Sequence, residues 1–90
     1  MIKSYLIGYD LNKSGQDYET LIAEIKKLGI WWHCLDSTWI VKSSSTAKNI
    51  RDHLKMFIDG NDEVLVVCLT GEGSWVGFSD ECSNWLKNNL

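Results

Sequence analysis

Proline is absent from this 90-residue sequence. No internal backbone N–H is therefore missing, and no strand is barred from the middle of a sheet. Long apolar runs are lacking too. The longest nearly uncharged stretch, residues 28–41, contains His33 and Asp36 and is too short to cross a bilayer, so no membrane association is expected. Cysteine is scarce: Cys34, Cys68 and Cys82 form an odd set without paired spacing, which reads as reduced thiols in a cytoplasmic protein. The opening Met-Ile-Lys-Ser-Tyr has no apolar segment or small-residue cleavage site, so nothing in it suggests export. Basic charge is in deficit. Nine Lys and Arg against 12 Asp and Glu leave a net charge of −3, which gives no long-range attraction to nucleic acid.

What is present belongs to a folded chain of one domain, residues 1–90. With 44% hydrophobic and 11% aromatic residues, the sequence is too apolar to stay disordered. Five tryptophans bring large apolar area together with N–H groups that need partners, which suits core edges, interfaces and flat-ligand pockets. Residues 2–10 are apolar or aromatic in both alternating sets from Ser4 onward, the pattern of a central strand covered on two faces. Ser14 followed by Asp17 reads as a helix start, and Tyr18, Leu21, Ile22, Ile25 and Leu28 form an apolar helical stripe. Gly29 is expected to end that helix in a left-handed conformation.

Residues 30–35 and 38–42 then read as a hairpin around Asp36-Ser37. Ser43 to Thr46 can cap a second helix, whose stripe is Ala47, Ile50, Leu54, Phe57 and Ile58. Residues 62–70 look like a buried strand and residues 75–78 like a short fifth strand. Ser79, Asp80 and Glu81 start a last helix. The expected fold is α+β and ferredoxin-like: β-α-β-β-α-β with an antiparallel sheet, plus a short carboxy-terminal strand and helix. Two helices can cover only one sheet face, so a homodimer is expected, with residues 64–69 and 75–78 pairing or packing across a two-fold axis.

Three sets of residues could carry function. Asp10 ends the first strand, where a carboxylate is held rigidly. It either bonds the backbone of the loop it opens or, contributed twice by a dimer, supplies hard oxygen ligands to a divalent cation. Lys48, Arg51 and Lys55 line one helix face and could meet phosphates, although Asp52 lies four residues from Lys48 and favours a paired, solvated face. Trp31 and Trp39, with His33, could stack nucleotide bases or could be buried in a core or interface. Gly71-Glu-Gly-Ser lacks the lysine of a phosphate loop and reads as a turn. His33, Cys34 and Cys68 lack zinc-ligand spacing.

Three segments extend the reading. Tyr5-Leu-Ile-Gly-Tyr-Asp-Leu-Asn, Trp31-Trp-His-Cys-Leu-Asp-Ser-Thr-Trp and Leu65-Val-Val-Cys-Leu-Thr-Gly-Glu-Gly-Ser-Trp-Val-Gly-Phe resemble bacterial and phage proteins of the SinR family, which are unrelated to helix-turn-helix regulators of similar name. The element order and the Tyr9-Asp10 strand end are similar to the small ferredoxin-like CRISPR adaptation nucleases. The second resemblance implies a symmetric dimer in which Asp10 of both subunits holds Mg²⁺ or Mn²⁺ and cleaves a phosphodiester. The functional expectation is a small dimeric module that binds a nucleotide or nucleic acid in phage–host or mobile-element biology. The alternatives are a weak metal-dependent endonuclease and a structural module for protein interaction.

Overall fold

The computed structural model describes residues 1–12 and 18–90. The expected cap at Ser14 and Asp17 lies outside the described residues. Strands β1 (Lys3–Asp10), β2 (Trp31–Leu35), β3 (Thr38–Ser43) and β4 (Glu63–Cys68) form one antiparallel sheet in the order β2-β3-β1-β4. Helices α1 (Glu19–Lys26) and α2 (Ala47–Leu54) pack on one face, with a 3₁₀ turn at Lys55–Phe57, and α3 (Asp80–Asn89) closes the chain. The α+β class is as expected. β1 is central, paired with β3 from Lys3↔Ser43 to Gly8↔Thr38 and with β4 from Tyr5↔Cys68 to Asp10↔Glu63.

Strand alternation sorts the side chains. Tyr5 and Ile7 of β1 and Trp39 and Val41 of β3 point to the helices and meet Leu21, Ile25, Ile50 and Leu54 in the main core. The helical stripes read from the sequence supply those contacts. Thr46 caps α2 by accepting from the Asn49 amide, and Ser79 caps α3 by accepting from the Cys82 amide. Gly29 departs from expectation. Its φ of 158° is far from a left-handed cap, and its backbone passes so close to β3 that a Cβ would lie 1.9 Å from the Lys42 carbonyl oxygen. The glycine permits a close approach there.

The opposite face holds a second, smaller core of Trp32, Ile40 and Leu86, with Trp75, Phe78, Trp85 and Leu90 packed around it. Three sequence expectations are corrected here. Residues 75–78 form no strand: they cross this face irregularly, with Gly77 at φ 92°, Phe78 edge-on to Trp32, and Trp75 Nε1 donating to Ser83 Oγ. Side-chain anchoring has replaced ladder pairing. Cys34 and Cys82 are joined in a disulfide between β2 and α3, so only Cys68 is a free thiol. The two cysteines lie 48 positions apart, and no local spacing could reveal their contact. Finally, the apolar run in β4 belongs to an edge strand. Leu65 and Val67 remain 57% and 38% exposed on the second face, which α3 and the preceding segment cover only in part.

Candidate functional site

Two places gather the residues singled out by the sequence. The first is a hollow of about 490 Å³ lined by Gly8, Tyr9, Asp10, Ser37, Thr38, Glu63, Val64 and Leu65. Asp10 sits there at the exposed end of β1. Its register partner is Glu63, the first residue of β4, so two carboxylates stand side by side on the same face of the sheet. Glu63 was missed in the sequence. The signal was available, because in an antiparallel pair the last residue of one strand faces the first of the other. The hydroxyl-bearing Ser37 and Thr38 form the far wall, and the Tyr9 amide donates to the Ser37 carbonyl at 3.1 Å, tying the hairpin turn to β1. Asp10 and Glu63 offer hard oxygen donors of the kind Mg²⁺ or Mn²⁺ prefers. Among the described residues no three His, Cys, Asp or Glu converge to hold a metal.

The second place is aromatic. His33 lies flat on Trp39, with ring centroids 3.8 Å apart and planes 5° from parallel. Its Nδ1 is 3.1 Å from the Thr38 carbonyl oxygen, a contact that requires Nδ1 to carry the proton and donate. Trp39 Nε1 donates to the Tyr9 hydroxyl at 3.0 Å. Trp39 itself is 1% exposed and has no free face for a ligand; it is the base on which the other rings rest. Trp31 tilts against it at 5.3 Å and is 42% exposed, with the Lys26 ammonium 5.0 Å from its ring centroid. Lys26 could not have been found by spacing, since it reaches Trp31 across the turn between α1 and β2. Trp32 faces the other way and donates from Nε1 to the Cys82 carbonyl at 3.1 Å.

Lys48, Arg51 and Lys55 form a separate group. They flank β4 from α2 and the 3₁₀ turn that follows it, across the sheet from Trp31 on β2, about 14 Å away by strand spacing alone. Lys48 and Arg51 both pair with Asp52, at 2.9 and 2.7 Å, as the charge pattern suggested. Asp52 is held below its ordinary range first by the hydrogen bond from Lys48 and then by that from Arg51. Between the helices, His53 Nε2 lies 2.8 Å from Glu24 Oε1, and Lys27 lies 2.9 Å from Glu24 Oε2. Hydrogen bonds from Lys27 and then His53 lower the Glu24 pKa.

No protein-family model matches the chain, and no solved structure matches it significantly. No helix among the described residues is long and apolar enough to cross a membrane.

Proposed function

We propose that this chain is a small homodimeric binding module of ferredoxin-like topology, and that its ligand is a nucleotide or a short stretch of nucleic acid. The sheet order β2-β3-β1-β4 with two helices on one face supports the ferredoxin-like reading. The observation that carries the ligand reading is the half-exposed Trp31 ring, which rests against Trp39, itself stacked with His33, and has the Lys26 ammonium 5.0 Å from its centroid. A supported ring can stack on a base, and an adjacent ammonium can meet the phosphate; such stacking contributes about 1–3 kcal/mol per base. Titrating oligonucleotides against tryptophan emission tests this. Saturable quenching that disappears in Trp31→Ala, with the fold intact, is expected. Quenching that survives Trp31→Ala overturns the reading.

A metal-dependent nuclease is the second reading, favoured by the register of Asp10 against Glu63 on an open hollow. In a dimer packed over this part of the sheet, two such pairs would supply four carboxylates. A divalent ion held there would polarise a phosphodiester. Metal-dependent cleavage lost in Asp10→Asn supports it, whereas equal cleavage by wild type and Asp10→Asn overturns it. The binding reading is preferred because one chain by itself brings Trp31, Trp39 and His33 together, whereas the metal reading needs carboxylates from a second copy. The cytoplasmic placement remains a proposal, and the Cys34–Cys82 bond counts against it, since such bonds persist in oxidising compartments.

A further inference from the structure

The sheet face away from α1 and α2 is covered by one arm of the chain, residues 69–90. Among the described residues the main core takes nothing from that arm: every side chain in the cluster or packed on it lies at or before Val66. Between β4 and α3, residues 69–79 hold no helix or strand. Gly71, Gly73 and Gly77 fall in this stretch, Gly71 and Gly77 at positive φ of 97° and 92°. The root of the arm can therefore re-aim at little steric cost.

What fixes the arm is concentrated at Cys82. Helix α3 has ten residues, of which only Leu86 is buried. A helix of that length is marginal by itself in water, so it depends on being held against the sheet. Cys82, in its first turn, carries the disulfide to Cys34 of β2, and its carbonyl accepts from Trp32 Nε1. One residue further, Ser83 Oγ accepts from Trp75 Nε1. The far end is tied by Ser4 Oγ, which donates to the Asn89 carbonyl. Both bonded cysteines are partly exposed, which leaves the bond open to attack by a thiolate. Cys68 cannot exchange with it. It faces Tyr5 in the β1–β4 register and so stands on the helix side, with the sheet between.

We propose that the Cys34–Cys82 bond is a redox-operated latch: its reduction releases the arm and lets α3 fray, while the sheet with α1 and α2 stays folded. A dithiol reductant drives the step. One of its thiolates attacks a sulfur of the bond and forms a mixed disulfide. The second thiolate resolves that intermediate, and the reductant leaves as its own disulfide. Two electrons and two protons pass to the protein, and Cys34 and Cys82 end as thiols. The surface uncovered is the β2–β3 half of the face, around Trp32 and Ile40, rather than the β4 side where Leu65 and Val67 stand. The latch goes beyond the nucleotide reading and does not rest on it, since Trp31 and His33 pack with Trp39 on the other face.

Amide hydrogen exchange on the full chain, with and without dithiothreitol, tests the proposal in a Cys68→Ser background where no other thiol reports. Reduction is expected to strip protection from residues 83–89 down to the level of an unstructured peptide, while the amides of β1 and β3 stay protected. Reoxidation should restore the protection of α3. The Cys34→Ser, Cys82→Ser double variant should show the open arm without any reductant. Three outcomes overturn the proposal: α3 amides that keep their protection once both thiols are free, β1 and β3 amides that lose theirs together with α3, or a bond that excess dithiothreitol leaves intact in the folded chain.

Discussion

At the scale of single residues, Gly29 and Glu24 make the sharpest cases. A methyl group at position 29 would collide with the Lys42 carbonyl oxygen, and that part of β3 cannot drift away freely because the Lys42 amide donates to the Ile30 carbonyl at 3.0 Å. Gly29→Ala is expected to destabilise the fold by about 2–4 kcal/mol, in the range for enforced backbone strain. A urea midpoint close to wild type would show that the turn relaxes. Glu24 acts through pH. Its carboxyl is lowered by Lys27 and then His53, so its folded pKa lies below its unfolded one. Its contribution is complete above the unfolded value and is lost as pH falls through the folded value. Glu24→Gln should therefore lose less stability than wild type when pH drops from neutral to about 3, in the window where carboxylates titrate. Urea midpoints at the two pH values check this, and equal losses would assign acid sensitivity to other groups.

Among the elements, α3 depends most on a covalent tie. The Cys34–Cys82 bond closes a long loop, and the chain-entropy relation for 48 residues gives an upper figure of about 4 kcal/mol. Replacing both cysteines by serine should lower stability by about 2–4 kcal/mol. Alkylation of the native, unreduced protein should modify Cys68 alone, and reduction should expose all three thiols; three modified thiols without reductant would show that the bond does not form. Helix stripes, capping residues and the central β1 were legible in the sequence because each depends on neighbours within about one helical turn or on simple alternation. The role of α3 was not. Its attachment to β2 rests on Trp32 reaching the Cys82 carbonyl and on Cys34 reaching Cys82, contacts between residues about 50 positions apart. For the same reason Trp75 and Phe78 read as a strand: aromatic spacing cannot distinguish ladder pairing from packing across a sheet face. In the candidate site, Asp10 and the Trp31–His33–Trp39 group were legible, whereas Glu63 and Lys26 depended on tertiary register.

For the whole molecule, the two sheet faces differ in completeness. The face under α1 and α2 is closed by a continuous core, while the other leaves Leu65, Val67 and the 93% exposed Val76 in water. This residue set is where the proposed dimer gains its apolar contact, at the β4 side of the second face. Sedimentation at micromolar concentration should give a species near twice the 10.3 kDa chain mass, and Leu65→Asp should return it to one chain mass without unfolding. A monodisperse single-chain species for the wild type would overturn the dimer.

The central position of β1 also sets a schedule for synthesis. Its partners are β3, which begins at Thr38, and β4, which ends at Cys68. On a growing chain the first strand therefore waits, apolar and unpaired, while only the β2–β3 hairpin can form from neighbouring sequence. The sheet is completed after residue 68 has emerged, and the covalent lock at Cys82 comes later still. Completion of the sheet thus waits for the addition of edge strand β4, a pairing between residues far apart in sequence, and until then one edge of the apolar β1 stays open.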